Sequence, residues 1–280
     1  MTEAVLPAAS TSPAIEEKRA ALSEVFGHEY AKGFDDPVVF IRRTLKSPAV
    51  KQFFNREFPM ISRTLFTESV YRRRPMFDQS VLDAFSVLVD TKIENILKLL
   101  TTQCGRLEVM CKSNGAMVDA DYMNPREVLI PIIAGHAKNY IAVLEMLDVA
   151  YQYTGAANLN GVINSNARKQ TELLCRKAVR AFSAMLRNEI IKLRKESQRM
   201  RAAMNAPDEE VTLAEGAHDQ AVATFDKAVS DDSVTDSAIN VNPADAAGMI
   251  DSLAATAAAQ KNTKRIKKTE AEAPAPATAS

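Results

Sequence analysis

Glycine is scarce, nine in 280 residues, and stretches in which apolar and polar residues alternate are few. Both shortages argue against a strand-rich chain and for a mainly helical one. No apolar run is long. The longest, Val128 to Ala134, falls far short of the ~20 residues that a bilayer-spanning helix needs, so no membrane segment is expected. The first fifteen residues lack the cationic start and apolar stretch of a cleaved export signal, which makes a cytoplasmic protein the expectation. The three cysteines, Cys104, Cys111 and Cys175, are odd in number and sit on apolar helical stripes, so neither a disulfide framework nor a metal-ligand spacing is expected.

Enzyme signatures are missing as well. There is no G-x-x-x-x-G-K-[ST] loop and no strand followed by G-x-G-x-x-G, so no nucleotide cradle can be argued. The histidines, His28, His136 and His218, belong to three different segments, and His136 lies on an apolar helix face as a core histidine would. Asp119 and Asp121 have no third ligand nearby and read as a polar turn. The expectation is a non-enzyme with no cofactor, no metal and no small-molecule substrate.

What the chain does have is charge sorted by sign. The formal net charge is zero, yet residues 165 to 205 hold eleven Lys or Arg against three Glu, and residues 206 to 260 hold one Lys against eleven Asp or Glu. A second basic block, residues 36 to 75, holds nine positives and three negatives. Segregated charge builds local potentials that bias partner choice, here toward a polyanion. Residues 206 to 280 are dominated by Ala, Asp, Glu, Ser, Thr and Pro, with Phe225 their only aromatic. A segment of that composition is expected to be a disordered acidic tail over 205 to 280, because it cannot bury enough apolar surface to offset chain entropy of roughly 1 to 2 kcal/mol per residue.

Periodicity then places helices. Ser12-Pro13 opens one whose face carries Ile15, Leu22, Phe26 and Tyr30 as far as Gly33, after a disordered stretch expected over residues 1 to 14. Asp36-Pro37 opens a short helix with Val38, Ile41 and Leu45; another carries Val50, Phe53 and Phe54 to Phe58-Pro59, and residues 60 to 75 are ambiguous between helix and strand. Residues 15 to 77 thus read as a region of short helices. From Asp78 to Asn114 the positions Leu82, Phe85, Val89, Ile93, Ile96, Leu100, Cys104, Leu107 and Cys111 form an eleven-residue repeat. Its period of about 3.67 implies one nearly straight amphipathic helix. Asn124-Pro125 begins a helix through Leu129, Ile133, His136, Tyr140, Val143, Leu147 and Ala150, disturbed by Pro131. Either it kinks there, or Arg126 to Ile130 is extended and Pro131 is the first helical residue. Residues 154 to 164 read as a loop. From Asn164 or Ser165 a helix of forty residues, about 60 Å at 1.5 Å each, closes the helical core over residues 78 to 204, and its half beyond Ile191 is expected to project or to meet a second subunit.

On that last helix Arg180, Arg187, Arg194 and Arg201 recur every seven residues, and seven residues fall only about 20° short of two turns. The four guanidinium groups form a row along one side, broadened by Arg176, Lys177, Lys195 and Arg199, suited to a phosphate backbone and equally to an ordinary solvated face. Arg72-Arg73-Arg74 before Pro75 is a compact cationic cluster, and Lys264 to Lys268 adds a third in the tail. Asn158, Asn160, Asn164 and Asn166 fit turns and caps better than base reading. Because the acidic segment directly follows the arginine row, it is expected to fold back on the row and compete with a polyanion.

The segment from Val118 to Ile190 resembles the AcaB-like family of conjugative plasmids and integrating conjugative elements. The likeness is carried by Asn124-Pro125, the helix through Tyr140 to Leu147-Asp148, the loop closing in Gly161-Val162-Ile163, and Val179-Arg180-Ala181-Phe182. The resemblance implies a dimeric DNA-binding activator of transfer functions, with a strand–helix–helix element like that of ribbon-helix-helix proteins over residues 118 to 204. In that element Arg126 to Ile130 would be the strand, which adds Arg126 to the candidate contacts. The two readings are therefore a transcriptional regulator binding double-stranded DNA as a homodimer, and a helical adaptor or scaffold in a conjugation or phage-like assembly.

Overall fold

A computed structural model describes residues 13–75, 77–118, 120–204 and 209–230, and within them the chain is mainly α-helical. Its elements run α1 (Pro13–Phe26), α2 (His28–Lys32), β1 (Val39–Leu45), α3 (Pro48–Arg72), α4 (Gln79–Ser113), β2 (Arg126–Ile132), α5 (Gly135–Leu159), α6 (Ser165–Met204) and α7 (Glu209–Ser230). No described helix is long and apolar enough to cross a membrane.

The expected N-terminal helix is divided. Gly27, at φ +86°, takes a backbone conformation that other residues rarely adopt and separates α1 from α2. The stripe Val38, Ile41, Leu45 is not a helix but lies in and beside β1, where β-branched and aromatic residues fit the pleat. Its partner is β2, antiparallel, with Ile41 opposite Ile130 and Phe40 opposite Pro131. Pro131 is therefore neither a kink nor a helix start. In a two-stranded ribbon each strand has an unpaired edge, and a residue without an N–H is tolerated there. The strand, helix, helix order of a ribbon-helix-helix element is present in β2, α5 and α6. Its ribbon, however, is completed by β1 of the same chain rather than by a second subunit.

Ser47 caps α3, its hydroxyl accepting from the Val50 N–H at 3.2 Å, with Pro48 in the first turn. Asp148 of α5 accepts the N–H groups of Lys46 and Ser47, each at 2.7 Å, and so ties the end of β1 to the start of α3. The two short pieces expected around Phe58-Pro59 are one helix, and residues 60 to 72 continue it. Pro59 removes one helical hydrogen bond, and the carbonyl left over, that of Asn55, belongs to an exposed residue that water can satisfy.

All nine positions of the eleven-residue repeat in α4 are buried. Leu82 to Cys104 share a core cluster with Tyr140, Leu144, Leu147 and Tyr151 of α5, and Leu107 and Cys111 pack in a smaller one with Ala157 of the same helix. α5 also continues through Gly155 to Leu159, so the loop expected from residue 154 is only residues 160 to 164. Asn158 and Asn160 donate to the carbonyls of Ile163 and Met117, and Asn164 accepts from the Ala167 N–H to cap α6.

α6 buries Cys175, Val179, Phe182, Leu186, Ile190 and Leu193, and Ser197, the one polar member of the stripe, is only 3% exposed. Its second half does not project free. α7 returns along it and against α3, burying Val211, Ala214, His218, Ala221 and Phe225. Residues 209 to 230 of the segment expected to be disordered are thus a docked helix; Lys264 to Lys268 lies outside the described residues.

Candidate nucleic-acid interface

The arginine row is where the two charge blocks meet. Arg187, Arg194 and Arg201 face α7, and the carboxylates that answer them, Asp226, Asp219 and Glu215, come in reverse chain order because the two helices run antiparallel. Arg194 holds Asp219 Oδ2 at 2.9 Å, also pairs with its Oδ1, and donates to the Glu215 carbonyl at 2.6 Å. Arg201 donates to Glu215 Oε2 at 2.6 Å and to Thr212 at 3.3 Å. Arg187 pairs with Asp226 and lies over the Phe225 ring at 4.9 Å. The expectation that the acidic segment folds back on the row is realised in this contact.

Under the row, α7 is anchored to α3. Arg63 donates to the Ala217 carbonyl at 2.8 Å, and the Tyr71 hydroxyl donates to Glu215 Oε1 at 2.6 Å. His218 is 2% exposed and neither ring nitrogen has a hydrogen-bond partner among the described residues. Burial, aided by the charge of Arg194, pushes its pKa down to about 4. The imidazole is therefore neutral near pH 7 and serves α7 as a packing group.

The rest of the expected contacts scatter. Arg180 lies over the Phe53 ring at 5.9 Å, and Arg176 reaches the Tyr151 hydroxyl at 3.4 Å. The Lys177 ammonium is shielded without a hydrogen-bond acceptor among the described residues. Arg72 bridges Glu68, Asp83 and Ser86 across the α3–α4 turn. Arg73 chelates Asp36 at 3.0 and 3.1 Å and stacks near Phe66, while Arg74 is half-buried and closes the turn through its N–H. Arg126 pairs with Glu24 and donates to Asn55 at 3.3 Å. The α6 row and the Arg72 to Arg74 cluster are thus separate groups, each engaged with carboxylates of its own chain.

A second polar cluster lies in the core. Glu57 of α3, 4% exposed, accepts from Ser183 of α6 and from the Tyr140 hydroxyl of α5 at 3.3 Å. Burial outweighs these bonds and pushes its carboxyl up to about 7. His136 sets Nδ1 2.9 Å from Asp90, and Asp121 meets Lys46 and Gln152; Asp119 lies outside the described residues. No three His, Cys, Asp or Glu side chains converge as metal ligands among the described residues.

The carboxylates of α7 were not singled out from the sequence. The signal was there: Val211, Ala214, His218, Ala221 and Phe225 follow a 3, 4, 3, 4 spacing, a helical stripe in an otherwise acidic segment. Alanine and histidine made it weak.

No family model matches this sequence, and no curated protein matches it. Among solved structures the chain is weakly similar to the selenomethionine-containing AcaB from uropathogenic E. coli. That match has 20% sequence identity and a TM-score of 0.49, and covers 64% of this chain and 97% of that one.

Proposed function

We propose that the chain is a duplex-DNA-binding regulator of the transfer genes of a conjugative or integrating mobile element, and that α7 moderates its hold on DNA. The observation that carries this reading is the pairing of Arg187, Arg194 and Arg201 with Asp226, Asp219 and Glu215. A seven-residue step along α6 advances about 10.5 Å, close to three phosphates of one DNA strand at about 3.4 Å of axial rise each. Carboxylates on α7 occupy the positions at which phosphates would be bound. Such a contact suppresses non-specific attraction, since any duplex that uses the row must first displace an acidic helix. The resemblance of residues 118 to 190 to the AcaB-like family supplies the regulatory role. For the homodimer that the same resemblance implies, β2 offers only the edge that β1 leaves unpaired.

The test is a gel shift with duplexes from upstream of transfer genes, at physiological salt and with excess competitor DNA. The regulator retains a specific complex. Replacing Asp219 and Asp226 by Asn frees two arginines, so non-specific affinity rises and the salt slope steepens by about 1.8, at roughly 0.9 per phosphate contact. A full chain that binds no duplex overturns the reading.

One observation favours the adaptor as a second reading. On α4, Val81 and Leu88, two turns apart on one side, are 40% and 39% exposed and Val87, about 100° round from Leu88, is 65% exposed, apolar surface that suits a protein partner.

A further inference from the structure

We infer that the solvent-facing side of α6, opposite its buried stripe, is the surface that enters the DNA major groove, with Asn188 and Gln198 aimed at base edges. This rests on the DNA-binding reading above and names the site within it. With α7 docked, the arginine row is occupied, yet α6 keeps another face that no described residue covers. Between residues 181 and 202 that face presents Asn188, Lys192, Lys195, Gln198 and Arg199, all exposed, with Ile191, 48% exposed, among them as an apolar group of the kind that meets a thymine methyl. The first and last of the turns between them carry only Ala181, Ala184 and Ala202, which keep the helix surface low.

No exposed residue of α6 is acidic. The helix's three glutamates are half-buried and turned to neighbours on the helix, Glu172 to Arg168 at 2.7 Å, Glu189 to Lys192 at 2.6 Å and Glu196 to Arg199 at 3.5 Å. Exposed pairs of this kind hold weakly, so their cations can turn to phosphate. Lys195 has no ion-pair partner among the described residues. It stands one residue, about 100° of helix, round from Arg194, which places this face beside α7 rather than under it.

The residue types match groove chemistry. Asn and Gln read adenine edges through paired donor and acceptor, and Lys and Arg reach guanine or phosphate. From Asn188 to Gln198 the helix rises about 15 Å, and its diameter of about 10–12 Å fits a groove about 12 Å wide. A second copy of this chain fits poorly on the same face. Lys192, Lys195 and Arg199 would then face one another with no exposed acid to answer them.

The experiment uses the full chain and a random-sequence duplex library. Sequences enriched by the wild type are then used in fluorescence anisotropy across a salt series. Replacing Lys192, Lys195 and Arg199 together by Ala is expected to reduce the salt slope by about 2.7, three contacts at roughly 0.9 each. Asn188→Ala and Gln198→Ala are each expected to weaken binding of the enriched sequence about 5- to 150-fold while leaving random duplex unaffected. All five side chains are exposed, so thermal melting serves as a control and should be unchanged. Variants that keep wild-type affinity and slope overturn this assignment and leave DNA binding in place on another face. A wild type that binds no duplex overturns both. A triple variant that turns a dimer into a monomer in light scattering, with DNA binding intact, assigns the face to a second copy instead.

Discussion

Arg201 and Glu215, fourteen residues apart in the chain, form an ion pair at 2.6 Å with side chains only 19% and 11% exposed. Glu215 also accepts the Tyr71 hydroxyl from α3, so one carboxylate joins three helices. Glu215→Gln leaves Arg201 largely buried without its counter-charge. A fully buried pair broken this way costs about 3–5 kcal/mol, and the partial exposure here lowers the expected loss to roughly 2 kcal/mol. The loss should fall on the docking of α7 and not on the whole fold. Hydrogen exchange is expected to show deprotected α7 amides with unchanged protection in α4 and α5.

Asp148 holds the junction of β1 and α3 by accepting two backbone N–H groups at 2.7 Å. Asp148→Asn keeps the shape but sets an amide NH₂ against one of the two donors. Hydrogen bonds to a charged group contribute about 1.5–3 kcal/mol, so a destabilisation of about 2 kcal/mol is expected in denaturant unfolding. Asp148 is far along the chain from α7, and the protection of α7 relative to the core should not change.

Where the apolar pattern was dense, the fold was legible in the chain. Nine positions of α4 were named from spacing and all nine are buried, and the stripe of α6 was equally plain down to Ser197. Val38, Ile41 and Leu45 satisfy a helical spacing as well as a strand, and what decides for β1 is a partner strand some ninety residues away. Of the two readings around Pro131, the extended piece Arg126 to Ile130 is realised in β2, and only the helix start is misplaced, since Pro131 has one meaning in a helix and another on a ribbon edge. Of the candidate site, the arginine row and the fold-back of the acidic segment were legible from charge order. Which carboxylate meets which arginine was not, because it depends on the register of α7, whose stripe is held by Ala214, Ala221 and an uncharged His218.

Glu57 gives the core a pH dependence of definite sign. Its folded pKa of about 7 lies above the ordinary 4.5, so the native state binds more protons than the unfolded chain between those values. Stability therefore falls as pH rises from about 4.5 to 7, by up to about 3 kcal/mol at 1.36 kcal/mol per unit. Glu57→Gln keeps an acceptor for Ser183 and Tyr140 and removes the buried charge. The variant is expected to be more stable than wild type at pH 8, by about 1–3 kcal/mol, and to match it near pH 4.5. Denaturant titrations at the two pH values check this.

His218 gives α7 a dependence of opposite sign. Its folded pKa of about 4 lies below the ordinary 6.5, so over that window the undocked state binds the extra proton and docking weakens as pH falls. Burial is the main reason that the charged form is not accommodated, and the groups around the ring add to it. Arg194 on α6 and Arg63 on α3 disfavour it, and Asp219 and Glu215 on α7 offset them only in part. Asp219 does not lose its own charge first, because the hydrogen bond from Arg194 holds its carboxyl below the usual range. At one proton, the equilibrium changes by at most tenfold per pH unit, and by less near 6.5 where the undocked ring is already half protonated, so lowering the pH from 6.5 to 5 is expected to reduce α7 protection by about 15-fold. Core amides, governed by Glu57, should move the other way over the same interval. His218→Phe removes the titration and, since neither ring nitrogen is hydrogen-bonded, leaves no donor or acceptor unsatisfied. Hydrogen exchange corrected for intrinsic rates, at pH 5 and 6.5, is expected to show α7 of that variant insensitive to pH. If α7 of the wild type is equally insensitive, the ring is not what ties docking to protonation.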